Sequence, residues 1–188
     1  SICYNAFYEC HNLKEVLFQD NSELKTIDDC VFKNTSIKEM IIPSNITHVG
    51  EKAFAYNNSL EKIVIPSSVV EIKKGWIYST PKLSKIEIMP NNKRYLSLRN
   101  GKVNIGKSSI KNKTFDIFMF CASDLKYVKI PDDIEIIDEC SFKDCKKLKS
   151  IEFPENSKVK RIEKYAFSES SIEKIEFPSS LTCICDHS

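Results

Sequence analysis

Glycine is scarce in this sequence, at 4 of 188 residues, which argues against the glycine-rich turns of small disulfide-stapled proteins. No apolar run approaches the ~20 residues that a membrane-spanning helix needs. The chain does not open on a basic segment followed by an apolar one, so it shows no signal peptide. An excess of one charge is also lacking, because 28 Lys and Arg residues nearly balance 26 Asp and Glu residues. A net charge of +2 is too small for the basic footprint of a typical nucleic-acid-binding protein.

Candidate catalytic residues are equally few. His11, His48 and His187 lie in predicted loops or variable positions and match neither a nucleophile elbow nor a paired-acid pattern. Glycine-rich phosphate loops are missing. The segment Cys183-x-Cys185-x-His187 has metal-ligand residue types, but zinc needs four ligands and this spacing matches no common zinc pattern. We therefore expect no enzymatic activity, no cofactor and no metal site.

The sequence does contain a strong internal repeat. Seven segments begin with Leu or Ile, place a second apolar residue three positions later and a third two positions after that. The steps between their first residues are 23 or 24 residues, apart from one step of 42. These first residues are Leu13, Ile37, Leu60, Leu83, Leu125, Leu148 and Ile172.

A second motif follows the first at a nearly constant distance. It consists of an apolar residue, two polar ones, an Ile or Val, and then a small residue beside an aromatic one, as in Ile46, Val49, Ala53 and Phe54. Alternating Ile and Val residues are typical of a strand with one buried face, and a following Pro ends the strand's hydrogen bonding. The Ala-Phe pair suits a short helical or 3₁₀ turn. One such unit cannot bury its own apolar face, so we expect a β-rich solenoid of stacked right-handed coils with a parallel sheet on one face.

One region departs from the repeat, at about 90–124. Asn100-Gly101 lies between alternating segments, which predicts a hairpin within an irregular or inserted double turn. Otherwise we expect a single solenoid over 1–188. Both ends fall inside repeats and neither shows a polar capping unit, so we interpret the chain as a fragment of a longer array.

The consensus of the repeat resembles a known family. Ile63-Val-Ile65-Pro66 through Ile72, and Lys164-Tyr-Ala166-Phe167 through Ile172, are similar to the BspA-like leucine-rich repeat proteins, which are surface antigens of bacteria and protozoan parasites. The segment 90–108 is most similar to the protozoan branch. The resemblance implies a leucine-rich repeat solenoid at the cell surface or secreted, which adheres to host cells or matrix through a protein or glycan ligand on its concave sheet. An intracellular interaction scaffold or receptor-like module in the cytoplasm is the alternative.

Each predicted strand has one outward-facing residue between its two inward-facing ones. In the first three copies this residue is apolar, namely Leu17, Ile41 and Val64. Adjacent strands lie about 4.8 Å apart, so we expect these side chains to form one contiguous stripe that binds a partner. The alternative is that β-propensity alone placed apolar residues there. The predicted partner-binding surface continues through Glu87, Tyr127, Lys129, Glu152 and Glu176.

Cysteines and glycosylation sequons complete the candidate residues. Several of the 8 cysteines recur near a repeat Phe, as at Cys10, Cys30, Cys121, Cys140 and Cys145. Such repetition favours free thiols packed in the core, with disulfides as the alternative. Asn-x-Ser/Thr sequons predict N-glycosylation, if the protein is secreted, at Asn34, Asn45, Asn57 and Asn112.

Overall fold

The computed structural model describes residues 1–19 and 21–188. It divides into two compact units, Ser1–Arg94 and Tyr95–Ser188. The repeats form stacked parallel coils of a β-solenoid with about 7 turns and almost no helix in the described part of the chain. The fold class predicted from the repeat is therefore confirmed. The single array over 1–188 stays a prediction.

In the first unit, each full coil contributes one strand to each of two parallel sheets. One sheet consists of β1 (Thr26–Ile27), β3 (His48–Val49) and β5 (Glu71–Ile72), in that order. The other consists of β2 (Glu39–Ile41), β4 (Lys62–Ile65) and β6 (Lys85–Ile88). Neighbouring strands are in register, so Ile41 pairs with Val64 and Val64 pairs with Glu87.

The second unit combines a hairpin with parallel coils. Its larger sheet contains β7 (Tyr95–Leu98), β8 (Val103–Gly106), β9 (Ile117–Cys121), β11 (Ile136–Ile137), β13 (Arg161–Ile162) and β14 (Cys183–Ile184). The pairs β7–β8 and β8–β9 are antiparallel, and the other pairs are parallel. A separate parallel pair consists of β10 (Tyr127–Lys129) and β12 (Ser150–Glu152).

The predicted hairpin at Asn100-Gly101 is confirmed. A 3₁₀ turn over Arg99–Gly101 joins β7 to β8. Asn100 and Gly101 have φ of 55° and 84°, in the left-handed region that Asn and Gly adopt most readily. The preference of Asn100 and Gly101 for left-handed backbone thus explains why the chain reverses here to form the predicted hairpin.

Repeated apolar positions stack to form the core of each unit. The first repeat residue is buried at Ile37, Leu60, Leu83 and Leu148. Aromatic rings from successive coils stack face to face, at 5.4 and 5.6 Å between centroids along Phe7, Phe32 and Phe54. In the second unit the separations are 4.7 and 5.3 Å along Phe118, Phe142 and Phe167. Each coil therefore covers the apolar face of the next.

The Ala-Phe segments form turns whose hydrogen bonds alternate between two kinds. Within one turn, Lys33 N–H donates to the Cys30 carbonyl at 3.2 Å, as in a 3₁₀ helix. Phe32 N–H instead donates to the Ala53 carbonyl of the next coil at 2.8 Å. The predicted short helical turn is thus a run of single 3₁₀-type bonds, interleaved with bonds that hold neighbouring coils together.

This alternation requires two residues with positive φ in each turn, four positions apart. Cys30 and Asn34 have φ of 58° and 59°. The equivalent pairs are Asn5 and Glu9, Lys52 and Tyr56, Gly75 and Ser79, Cys140 and Asp144, and Tyr165 and Glu169. Since Gly75 is the one glycine among them, the left-handed geometry is imposed by the bonds between coils rather than by glycine.

Candidate partner-binding surface

Apolar side chains are exposed on the sheet of β2, β4 and β6. Ile41 is 60% exposed, and it lies beside the half-buried Val64 on the neighbouring strand. Met89, directly after β6, is 43% exposed. The registered strands hold these side chains about 4.8 Å apart, which places Ile41 and Val64 in contact across the sheet. A contiguous apolar surface of this kind is typical of a binding site.

Leu17 lines the same surface, but it does not lie on a strand. The first repeat copy was predicted to be a strand, but residues 13–18 form no strand in the described chain, so this part of the prediction is wrong. Leu17 is 79% exposed and lies on one wall of a groove, with Ile41 and Val64 on the other. The three predicted side chains thus line one groove, although Leu17 does not lie on a strand paired with β2.

This groove, hereafter the apolar groove, has a volume of about 520 Å³. Residues 15–19 and Ser22 line one wall. The opposite wall comes from β2 and the residues that follow β2, β4 and β6, including Pro43, Pro66 and Met89. The prolines arise from the same repeat position, so the motif that ends each strand also builds the wall.

Charged residues flank the apolar groove. Glu39 pairs with Lys62 at 2.7 Å, and hydrogen bonding to this carboxylate raises the pKa of Lys62. Glu87, beside Val64, pairs with Lys85 at 3.2 Å. Glu15 lies on the opposite wall and has no ion-pair partner among residues 1–19 and 21–188. The groove thus has an apolar floor with one unpaired carboxylate at its margin.

The other predicted contact residues belong to the second unit. Glu152 pairs with Lys129 at 2.8 Å and accepts a hydrogen bond from the Tyr127 hydroxyl. These contacts, with Lys129 as the stronger partner, lower the pKa of Glu152. The hydrogen bond from the Tyr127 hydroxyl to Glu152 raises the pKa of Tyr127. Glu176 is exposed on the following coil. The structure thus brings Tyr127, Lys129 and Glu152 together in one cluster, in which the Lys129 and Glu152 charges are paired, and their role in partner binding stays a prediction.

A second groove, of about 430 Å³, was missed by the sequence reasoning. It lies along β1, β3 and β5. His48, predicted in a loop or a variable position of the repeat, lies in β3, with Nε2 3.4 Å from a carboxylate oxygen of Glu71. Asp29 pairs with Lys73 at 3.0 Å. Gly50 also lines this groove, where it lies against the backbone of Asp28 and Asp29, and a rare glycine at this repeat position was the available signal.

The pairing of Asp29 shapes the electrostatics of this second groove. Hydrogen bonds from Lys73 and from the Glu51 backbone N–H hold the pKa of the Asp29 carboxyl below its ordinary value. The same contact raises the pKa of Lys73. Asp29 and Lys73 are therefore both charged at neutral pH and form an ion pair within this groove.

All eight cysteines, which lie in the described part of the chain, are free thiols. Cys121, Cys140 and Cys145 are buried in the core, as predicted. Burial raises the pKa of Cys140 to about 12. The prediction of a packed thiol is wrong for Cys10, which is exposed, and Cys30 is half-buried. The Cys140 thiol is therefore protonated at neutral pH and has little nucleophilic character.

The cysteines near residue 184 do not converge with histidine. Arg161 Nη1 and Nη2 lie 3.3 and 3.1 Å from the sulfurs of Cys183 and Cys185. His187 instead stacks on the ring of Tyr165 at 5.3 Å. Over residues 1–19 and 21–188, no three His, Cys, Asp or Glu side chains are grouped to hold a metal ion.

The four sequons differ in their surroundings. Asn57 is fully buried, and its Nδ2 donates to the carbonyls of Phe32 and Phe54, both at 2.8 Å. The prediction of a glycan at Asn57 is therefore wrong, because its amide nitrogen is enclosed and used. Asn45 is exposed, Asn34 and Asn112 are half-buried, and glycosylation of these three stays a prediction.

Within the described ranges, the chain has no helix with the length and apolar character needed to cross a bilayer.

Comparisons with known proteins agree on the repeat. The family described as "BspA type Leucine rich repeat region" matches residues 1–100 and 101–188, in 6 copies. No curated protein matches the sequence.

Solved structures share the fold. A leucine-rich repeat protein from Eubacterium ventriosum is 28% identical with a TM-score of 0.79, and the match covers 96% of this chain and 45% of that one. The pneumococcal vaccine antigen PcpA is 21% identical with a TM-score of 0.70, over 90% of this chain and 46% of that one. A leucine-rich cell surface protein from Faecalibacterium prausnitzii is 21% identical with a TM-score of 0.58, over 97% and 65%. The chain thus spans about half the length of the first two.

Proposed function

Because the chain belongs to the BspA-type leucine-rich repeat family, we propose that it is a non-enzymatic surface protein that binds a protein or glycan partner and adheres to host cells or matrix. Leucine-rich repeat proteins of this type are typically non-enzymatic binding proteins. One observation carries the proposal for this chain, namely the apolar groove between Leu17 and the Ile41–Val64 pair.

The energetics favour this groove over the charged surfaces. Covering an exposed Leu or Ile side chain contributes about 1.5–3 kcal/mol, whereas an exposed ion pair contributes roughly 0–1 kcal/mol. The cluster of Tyr127, Lys129 and Glu152 already satisfies its own charges. We therefore assign affinity to the apolar groove, and the charged residues of the second unit stay a separate candidate surface.

The location at a cell surface rests on the relatives and on the resemblance of the repeat. The protein from Faecalibacterium prausnitzii is described as a cell surface protein, and PcpA is described as a vaccine antigen. We extend the surface location to this chain as a proposal. If it is secreted by a eukaryote, as the similarity of the 90–108 segment to the protozoan branch predicts, the exposed Asn45 is the first candidate for a glycan.

A second candidate function is an intracellular interaction scaffold. The free thiols favour it, because proteins of oxidising compartments more often pair their cysteines. A scaffold would use the same apolar groove toward an intracellular partner, so the site is common to both functions and the compartment differs.

The experiment is a binding assay with a matched control. The purified chain is labelled and added to epithelial cells and to immobilised matrix proteins, and bound label is measured. Ile41→Lys places a charge in the apolar groove and is expected to reduce binding at least tenfold, while circular dichroism stays unchanged. Ile110→Lys makes the same change at a side chain that is 52% exposed outside the groove, and it should bind like the original chain. Equal binding by the two variants, or no binding by the original chain, contradicts the proposal.

A further inference from the structure

The apolar groove contains a strand edge with free backbone groups, and we propose that it captures an extended polypeptide segment that pairs with β2 as an additional strand. This inference rests on the proposed function and gives the partner a chemical class. The segment has alternating apolar residues and carries a Lys or Arg near the Glu15 wall.

The orientation of β2 follows from its bonds to β4. Lys62 N–H donates to the Lys38 carbonyl at 3.3 Å, and Ile42 N–H donates to the Val64 carbonyl at 3.0 Å. In a parallel sheet, alternate residues direct their backbone groups to opposite sides. Residues 38, 40 and 42 therefore face β4. The N–H and C=O groups of Glu39 and Ile41 point to the other edge.

The segment that should occupy that edge is displaced from it. Ser36 N–H donates to the Leu13 carbonyl at 3.0 Å, so the first coil is joined to the second at this point. Beyond it, no backbone hydrogen bond links the described residues 14–19 to β2. The first coil remains stacked at its turn, where Phe7 and Phe32 are 5.4 Å apart. The gap is thus local, between residues 15–19 and β2.

The gap has the size and lining for a peptide strand. Its volume of about 520 Å³ is lined mainly by apolar side chains, with polar ones such as Glu15, Gln19 and Glu39 among them. An added strand would lie about 4.8 Å from β2 and satisfy the free groups of Glu39 and Ile41. Side chains on one face of that strand would cover Leu17, Ile41 and Val64, which are exposed or half-buried in the free chain. Backbone pairing and apolar contact then favour the same occupant.

Charge and lining favour a basic peptide over a glycan. The Glu15 carboxylate has no ion-pair partner within the described ranges, so a cation of the segment would complement it. Tyr and Trp, the aromatic residues that most often stack against sugar rings, are missing from the groove lining, which is mainly aliphatic with Phe18. Free backbone N–H and C=O groups at a strand edge match the backbone of another polypeptide.

The test uses a blocked peptide of about seven residues, in which Val and Thr alternate between terminal lysines. Hydrogen exchange of the Glu39 and Ile41 amides is followed by NMR on the ¹⁵N-labelled chain. We expect fast exchange in the free chain. At ~90% saturation the exchange should slow about tenfold, because it then occurs from the unbound tenth. Amides that stay unprotected at about 1 mM peptide overturn the proposal.

Two further peptides separate strand pairing from simple apolar contact. They have the same sequence and are N-methylated at alternate residues, one in each register. The added strand continues the parallel sheet of β2, β4 and β6, and in that direction only alternate N–H groups of the peptide face β2. One methylated peptide should therefore bind at least tenfold more weakly than the other. A register slip cannot rescue it, since a shift by one residue moves every Val to the opposite face. Equal affinities overturn parallel strand addition.

The outcome is distinguishable from a failure of the proposed function. If Ile41→Lys abolishes cell binding while the two methylated peptides bind equally, the apolar groove remains the binding site and strand addition is wrong. Protection of Glu39 and Ile41 that grows with protein concentration in the absence of peptide assigns the edge to a second copy of this chain. That result also overturns the peptide proposal.

Discussion

Asn57 and Thr35 join neighbouring coils from within the core. The Oδ1 atom of Asn57 accepts hydrogen bonds from the Thr35 backbone N–H at 2.9 Å and from the Thr35 hydroxyl at 2.6 Å. The Nδ2 atom donates to the carbonyls of Phe32 and Phe54. Both residues are buried, so this amide satisfies polar groups that water cannot reach.

Replacing Asn57 should therefore destabilise the first unit. Asn57→Ala leaves the Thr35 backbone N–H and the Phe54 carbonyl without partners, whereas the Thr35 hydroxyl still donates to the Phe32 carbonyl at 3.3 Å. Each unpaired buried polar group costs about 1–3 kcal/mol. We expect the free energy of unfolding to fall by about 3 kcal/mol, as measured by urea denaturation. Asn58→Ala, at the exposed neighbouring position, should change it by less than about 0.5 kcal/mol. Similar losses from both variants would contradict this role for Asn57.

Gly50 is required where its coil lies close against the backbone of the preceding one. A Cβ atom at this position would lie 2.5 Å from the Asp29 backbone nitrogen and closer still to the Asp28 carbonyl carbon. Backbone cannot move aside as a side chain can, so Gly50→Ala should destabilise the chain by roughly 3 kcal/mol or more. The measurement is the midpoint of urea unfolding.

Gly106→Ala is the matched control for that variant. Its Cβ would meet the Met119 sulfur at 2.5 Å and the Tyr95 ring at 3.1 Å. The flexible Met119 side chain can turn away, and the Tyr95 ring needs to shift by only a few tenths of an ångström. We expect a smaller loss at Gly106, of about 1 kcal/mol. An equal loss at the two glycines would show that the approach between Gly50 and Asp29 is not the limiting contact.

The ion pair between Asp29 and Lys73 in the second groove predicts a lowered pKa for the Asp29 carboxyl, which can be measured. Because Lys73 and the Glu51 N–H lower the pKa of Asp29, its native value should lie below the ordinary 3.8. The stabilisation by this carboxylate is therefore present above that ordinary value and is lost as the pH falls through the native pKa. A carboxyl ¹³C titration of Asp29 tests the direction. Lys73→Gln should raise the Asp29 pKa, and Lys82→Gln, at an exposed position, should leave it unchanged.

The repeat made the coils predictable, and its spacing also explains where the prediction went wrong. Steps of 23 residues connect Ile37, Leu60 and Leu83, whose strands pair fully. The steps of 24 residues lead from Leu13 and from Leu148. The segment that begins at Leu13 forms no strand paired with β2. The segment that begins at Ile172 is joined to β12 by a single bridge, between Ser150 and Lys174. A longer unit changes the path of the chain between strands, which a consensus of residue types does not record.

The candidate site was predictable only in part for a related reason. Outward-facing residues follow from the alternation of a strand, so the exposure of Ile41 and the pairing of Lys129 with Glu152 could be read from the sequence. The groove beside Leu17 arises where pairing fails. The burial of Asn57 depends on contacts made to a coil about 22 residues away, which a sequon pattern cannot reveal.

The alternating bonds of the turns have a consequence for how the array can change in length. Since each corner is shaped by carbonyls of the adjacent coil, and Lys, Tyr, Cys or Asn can all occupy its left-handed positions, one corner can substitute for another. Excision of residues 60–82 would join Ser59 to Leu83. Glu87 would then take the place of Val64 beside Ile41, with the register of the strands unchanged. The architecture thus permits whole coils to be gained or lost. Each such change adds or removes one strand, and with it one exposed side chain of the sheet.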